Sequence, residues 1–281
     1  MAEISVGRES VAGVSSLVRS SGPRDAREAV LFLHGNPGSS EDWSDLLART
    51  GAFARAVAPD MPGFGKADRP RGFEYTVDGY ARHLDGVLSA LGVERVHLVL
   101  HDFGGPWGLV WASEHLPRVA SLTLVNVGVL PGYRWHKFAR LWRTPVLGEI
   151  VQLVTNRRAF RFALGNDNPR PFPPGFADRM YDDYDAGMKR AVLKLYRATN
   201  HLGELVDRVE SRPAFRQLPT LVVWGTGDRY LPARYAEEQR RFFDVRDVRL
   251  FERCGHWPFV DEPERVGEAI TNFLQARLAG G

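Results

Sequence analysis

The sequence predicts an α/β fold: a mostly parallel central sheet with helices on both faces and a helical segment inserted late in the chain. Three observations carry this. Short apolar runs alternate with segments of helical period. Several of those runs end abruptly at Gly-rich corners, as buried strands do. The alternation stops over residues 131–212 and then resumes.

Taken in order, residues 10–19 read as an early strand and residues 29–33 (Ala-Val-Leu-Phe-Leu) as a buried one ending at His34-Gly35. Residues 53–59 form the next strand, running into Asp60-Met61-Pro62-Gly63-Phe64-Gly65. Residues 76–91 place Tyr80, Leu84, Val87, Leu88 and Leu91 at helical spacing. A strand over 96–100, a helix over 103–115 and a strand over 120–125 follow. Residues 131–212 hold aromatic- and Arg-rich helical segments broken by Pro169-Arg170-Pro171-Phe172-Pro173-Pro174-Gly175, with no strand. Strand 220–225, helix 232–243, strand 248–252 and helix 263–278 complete the chain. The expected division is therefore a core of residues 1–130 and 213–281 with a cap-like insertion at 131–212.

Bulk properties agree with a globular enzyme. The 281 residues suffice for one large α/β domain, and 44% hydrophobic with 25% charged residues is ordinary for such a domain. The pI is about 9.1 but the net charge only +3. The arginines lie among acids rather than in a basic run, which argues against a nucleic-acid partner. Cys254 is the only cysteine, so no internal disulfide can form. No apolar stretch of signal-peptide length opens the chain, and no run of about 18 apolar residues occurs, so neither export nor a membrane is expected and the cytoplasm is the expected location.

The chemistry-bearing segment is Val96-His97-Leu98-Val99-Leu100-His101-Asp102-Phe103-Gly104-Gly105-Pro106-Trp107-Gly108. It enters as a strand and leaves as a helix, with paired glycines after the turn, the pattern of a nucleophile elbow. Such corners usually hold serine, yet Gly-x-Ser-x-Gly is absent and Asp102 stands at the corner. An aspartate is already ionised near neutral pH, so it can attack an sp³ carbon directly and form an alkyl–enzyme ester. The competing reading is a plain helix N-cap, a common job for Asp. Against it stand two partners in the chain order nucleophile, acid, histidine. Asp228, in Trp224-Gly225-Thr226-Gly227-Asp228, would orient the histidine; His256, in Cys254-Gly255-His256-Trp257, would activate water. His34-Gly35-Asn36-Pro37-Gly38 supplies a fourth part, with the amides of Asn36 and Phe103 as the oxyanion hole.

With these motifs the chain resembles the α/β-hydrolase superfamily, and within it the branch of epoxide hydrolases and haloalkane dehalogenases. The resemblance implies the α/β-hydrolase fold with an inserted helical cap and no cofactor. It implies two rival activities. For a dehalogenase, Asn36 matches the position whose side-chain amide helps hold the halide, and Arg143-Thr144-Pro145-Val146-Leu147-Gly148-Glu149 is similar to that family's cap. However, Phe103 stands where dehalogenases place a Trp, and a phenyl ring has no N–H to offer; Trp107 lies one turn on. For an epoxide hydrolase, residues 187–197 are similar to the cap helix carrying an acid-donating tyrosine, which nominates Tyr196. A second tyrosine is open among Tyr133, Tyr181 and Tyr184. A fluoroacetate-type site is excluded because residues 103–112 contain no Arg or Lys.

The leading expectation is therefore an epoxide hydrolase, the first alternative a haloalkane dehalogenase, and the second a non-catalytic ligand-binding protein of the same fold. The expected pocket adds His34, Trp107, Tyr133 and Trp257 around a small neutral hydrophobic substrate. No metal-ligand spacing is present. Beyond the substrate, the partner expected is at most a second copy in a homodimer.

Overall fold

The computed structural model describes residues 1–199 and 203–279. Eight strands form one sheet in the order β1-β2-β4-β3-β5-β6-β7-β8. They are β1 (Ile4–Val11), β2 (Val14–Ser21), β3 (Glu28–Leu33), β4 (Arg55–Pro59), β5 (Arg95–His101), β6 (Val119–Val125), β7 (Pro219–Gly225) and β8 (Asp244–Phe251). From β4 to β8 every pairing is parallel, whereas β1–β2 and β2–β4 are antiparallel.

The early strand is the first correction. Residues 10–19 are not one strand but parts of two, reversed at Ala12-Gly13, whose φ angles of 49° and 78° suit a two-residue hairpin turn. The apolar runs elsewhere became strands because they bury completely. Val30, Leu31, Phe32 and Leu33 are all 0% exposed, and each such side chain contributes about 1.5–3 kcal/mol on leaving water.

Helices cover both faces: α1 (Ser44–Thr50), α2 (Val77–Ala90) and α3 (Gly104–Glu114) in the first half of the chain. Thr76 caps α2 by accepting from the Gly79 amide at 3.0 Å, a contact worth about 1 kcal/mol. Between β6 and β7 the described residues contain six helices and no strand: α4 (Lys137–Arg143), α5 (Leu147–Val154), α6 (Arg157–Asp167), α7 (Phe176–Asp183), α8 (Ala186–Ala198) and α9 (Gly203–Glu210). Ion pairs tie this segment down, among them Arg179 to Asp42 at 2.5 Å and Arg69 to Asp185 at 3.0 Å.

The chain closes with α10 (Arg234–Glu238), α11 (Pro258–Asp261) and α12 (Pro263–Leu278). The helix expected over 232–243 is thus shorter, passing into a 3₁₀ turn at Gln239–Arg241. The turn holds Gln239 where its buried amide accepts from the Val129 N–H (2.9 Å) and donates to the Val129 carbonyl (2.8 Å). Among the described residues, no helix is long and apolar enough to cross a membrane.

Candidate active site

Five loops meet at the C-terminal ends of the parallel strands β3, β5, β6, β7 and β8, the edge where open α/β sheets bind ligands. Asp102 follows β5 in the left-handed region, with φ 49°. For a non-glycine residue this conformation costs on the order of 1 kcal/mol or more, and it is the backbone conformation a nucleophile elbow would require. The corner is so crowded that its neighbours must lack side chains. A Cβ on Gly35 would collide with the Asp102 side chain, and one on Gly104 would collide with the Leu33 carbonyl.

The helix-cap reading of Asp102 fails, because no side chain caps α3. Instead Oδ1 accepts from the Asn36 amide at 2.7 Å, and Oδ2 lies 3.4 Å from His256 Nε2. His256 Nδ1 is 2.7 Å from Asp228 Oδ2. Asp228 is held in turn by the amides of Tyr230 (2.7 Å) and Leu231 (3.0 Å) on Oδ1, and by Asn126 Nδ2 (2.6 Å) on Oδ2. The three residues therefore form a continuous Asp102–His256–Asp228 line. All are nearly shut off from water, with side-chain exposures of 14%, 3% and 0%.

Burial alone would make both carboxylates reluctant to ionise. For Asp102 the hydrogen bond and charge of His256, with the Asn36 amide, overcome it and hold the carboxyl at about 2. Asp228 is likewise held below the usual carboxylate range, burial being outweighed by the charge and hydrogen bond of His256 and by Asn126. Burial disfavours the charged imidazole of His256, yet the two flanking carboxylates raise it to about 10. The two flanking carboxylates thus favour the protonated imidazole between them.

Three residues outside the expected triad complete the framework. Asn126, after β6 at φ 46°, spans Asp228, the Gly225 amide (2.9 Å) and the Gly255 carbonyl (3.2 Å). His101 donates from Nε2 to the His256 carbonyl at 2.8 Å, its rings 4.6 Å from those of His256, and burial depresses it to about 3 so that it stays neutral. His136 faces Asp102 from the start of α4. Its Nδ1 accepts from the Ala139 amide at 3.3 Å, which leaves the proton on Nε2. Burial lowers it to about 4, so it is a neutral donor. Adjacency to the proposed nucleophile was the available signal for His101, and a polar residue directly after a buried strand the signal for Asn126; His136 had none beyond its aromatic neighbours.

Tyr196, on α8, is 2% exposed and accepts from Asn36 Nδ2 at 3.3 Å. Its ring stands edge-on to Phe103 at 4.9 Å. Burial and the Asp102 charge push its phenol well above 10, opposed by the Asn36 hydrogen bond, so the proton stays on. The three other tyrosines nominated above have committed theirs: Tyr133 donates to the Tyr230 carbonyl (3.0 Å), Tyr184 to Gln152 (2.8 Å) and Tyr181 to the Thr155 carbonyl (3.4 Å).

Two cavities reach Asp102, of about 300 Å³ and 190 Å³. Phe103 and Tyr133 line the larger, Asn36 and Trp257 the smaller. The pocket expectation is corrected for His34 and Trp107, which are fully buried and border neither cavity. His34 is spent on backbone, accepting from the Met61 amide at 3.0 Å. Trp107 stacks on Tyr80 at 4.3 Å because α3 turns that face toward the core. Among the described residues, no group of three or more His, Cys, Asp or Glu side chains could hold a metal ion.

The family described as alpha/beta hydrolase fold matches residues 28–263. The chain belongs to that family. Among sequence relatives, the 2-hydroxymuconate semialdehyde hydrolase of Pseudomonas sp. (strain CF600) is 28% identical over 96% of this chain and 94% of that one. Among solved structures, haloalkane dehalogenase DbeA from Bradyrhizobium elkani USDA94 superposes with TM-score 0.84 at 24% identity, over 99% of this chain and 100% of the other. The epoxide hydrolase CorEH gives TM-score 0.83 at 16% identity, over 98% and 99%. At these identities the two structures speak for the α/β-hydrolase fold, which this hydrolase shares from its sheet to its helices.

Proposed function

We propose that this hydrolase opens epoxides to diols through an alkyl–enzyme ester on Asp102. The observation that carries the reading is the Asn36–Tyr196 contact. Asn36 Nδ2 donates to the phenol oxygen, so the phenol proton is free to leave toward a second oxygen above the carboxylate. Opening an oxirane creates an alkoxide, a poor leaving group that needs such a proton.

In the first half-reaction Oδ2 attacks a ring carbon while Oδ1 stays on the Asn36 amide. The C–O bond breaks, the ring oxygen takes the Tyr196 proton, and His136 Nε2–H supplies a second hydrogen bond. Esterification removes the Asp102 charge, one of the causes holding the Tyr196 phenol and the His256 imidazole high. The phenol thus becomes more acidic as its proton is needed. His256 equally becomes able to give up its proton, through water, to the Tyr196 phenolate, which restores the phenol and leaves a neutral imidazole to act as base. In the second half-reaction His256 takes a proton from water, whose oxygen attacks the ester carbonyl. The oxyanion at Oδ1 rests on the amides of Asn36 and Phe103, and the C–O bond to the diol breaks with return of the proton.

A haloalkane dehalogenase would share the triad but needs donors for halide. Here Asn36 Nδ2 spends one of its two N–H groups on Tyr196, Phe103 offers no N–H on its ring and Trp107 lies outside both cavities, so the residue after Asp102 supplies no ring donor and a halide would depend on the second Asn36 N–H and the Trp257 indole. A merely ligand-binding role is disfavoured by a charged, fully connected triad. Hydrolysis through a serine is not open, since position 102 is a carboxylate.

Tyr196→Phe tests the reading. It keeps the ring packed on Phe103 and removes the proton, so epoxide turnover should fall by about 10²-fold or more. An unaltered epoxide rate, with bromide release from a bromoalkane that depends on Asn36, would move the assignment to dehalogenase.

Asn126 is a positioning residue in this scheme. Asn126→Gly removes the donor to Asp228 and suits the left-handed φ of 46°, and steady-state turnover should fall by about 10-fold. Single-turnover alkylation of Asp102 should persist, because only the histidine-dependent step relies on Asp228. Equal loss of both half-reactions would show disturbed folding rather than disturbed orientation.

A further inference from the structure

The cavity around Asp102 is forked, and the fork constrains the substrate. The larger arm runs past Phe103, Val110, Val127 and Leu130 toward α2 and α9. The smaller runs under α5 and α6, walled by Trp142, Val151, Ala163, Leu164 and Trp257. Asp102, His136, Tyr196 and Tyr230 border both arms. The attacked carbon and the ring oxygen must lie at this junction, because the carboxylate and the free phenol proton are there. Each carbon of the oxirane then has an arm of its own.

We propose that the substrate is an internal, 1,2-disubstituted oxirane carrying an apolar substituent on each ring carbon, one in each arm. The proposal rests on the epoxide reading above. A terminal oxirane leaves one ring carbon bare and one arm unfilled. Away from the junction the walls of the smaller arm are mainly indole, phenyl and aliphatic surface, so water filling its far end makes few hydrogen bonds. Burying a second apolar group raises kcat/KM, provided it is held as the carbon reaches its transition state.

The test compares trans-stilbene oxide, with a phenyl on each carbon, against styrene oxide, with one. The wild type should prefer trans-stilbene oxide by about 10-fold or more in kcat/KM, the scale of filling or leaving empty a hydrophobic subsite. Ala163→Phe fills the smaller arm and Leu130→Trp the larger. Each should lower the ratio of the two kcat/KM values by about 10-fold, because the single phenyl of styrene oxide can use whichever arm stays open. Thermal unfolding midpoints of both variants near the wild type would tie the change to the arm rather than to the fold. The proposal is overturned if styrene oxide is preferred, or if neither variant that folds alters the ratio. The parent reading is judged separately by mass spectrometry of the His256→Gln variant. Adducts on Asp102 from both oxiranes without a preference would sink only the internal-oxirane inference; no adduct from either would sink both.

Discussion

In His256→Gln, incubation with an epoxide is expected to load Asp102 with one substrate equivalent that stays in place. The physical reason lies in the division of labour around the carboxylate. Attack requires an ionised Asp102, and its Asn36 amide contact at 2.7 Å survives the substitution. Ester cleavage requires a group that takes a proton from water, and glutamine cannot do so. Intact-protein mass spectrometry should show the adduct, and peptide mapping should place it at Asp102. The complementary Asp102→Ala should lower turnover by about 10⁵–10⁶-fold, the scale seen when the nucleophile of a catalytic triad is removed. Retained turnover in Asp102→Ala, with no adduct in His256→Gln, would refute a carboxylate nucleophile.

The same division predicts a pH signature in the wild type. Asp102 is held at about 2 and remains ionised throughout ordinary acid conditions. His256, raised to about 10 in the resting state, must be neutral for the water step. Its partner Asp102 is uncharged in the ester, so its pKa falls there but Asp228 still holds it up. As pH falls through that ester-state pKa, hydrolysis should slow while alkylation continues. The adduct should therefore accumulate in wild type at acid pH and vanish on return to neutrality. An adduct that instead accumulates on raising the pH would contradict the assignment of His256 as base.

Asp228→Asn should preserve the fold and reduce turnover by about 10⁴-fold, by analogy with the same change in a serine-protease triad. Asp228 is fully buried and touches His256 at 2.7 Å. An amide there can still accept from Tyr230 and Leu231, but it cannot stabilise imidazolium, and its N–H₂ can turn toward His256 and fix the wrong tautomer. It would also confront the Asn126 amide, which now donates to Oδ2 at 2.6 Å. Measurement of both half-reactions is decisive. Loss confined to ester hydrolysis supports the orienting role, and near-normal hydrolysis would mean that another carboxylate holds the histidine.

Much of this architecture was legible in one dimension. Burial of a strand on both faces demands an unbroken apolar run, so β3, β5, β6 and β7 announced themselves within a residue or two of each end. The elbow was equally plain, since a backbone corner at φ 49° packed against Gly35 and Gly104 tolerates few neighbours. Asp102, Asp228 and His256 stood at three strand ends, and strand ends on one sheet edge must converge. The split of residues 10–19 into two strands was harder to see, because the Ala12-Gly13 turn carries little signal of its own.

What only the tertiary structure decided is which face each helical side chain presents, and what each polar group has already been spent on. Trp107 sits at the right chain distance for a halide donor, but α3 turns it into the core. His34 follows the right strand, but its ring nitrogen is taken by Met61. Tyr196 on α8 and His136 at the cap of α4 lie 60 positions apart in sequence (196 − 136), and their approach to Asp102 depends on how the six inserted helices pack. The extent of each buried strand follows from the chain's own local apolar pattern, whereas these contacts are set by long-range packing between elements with no pattern linking them.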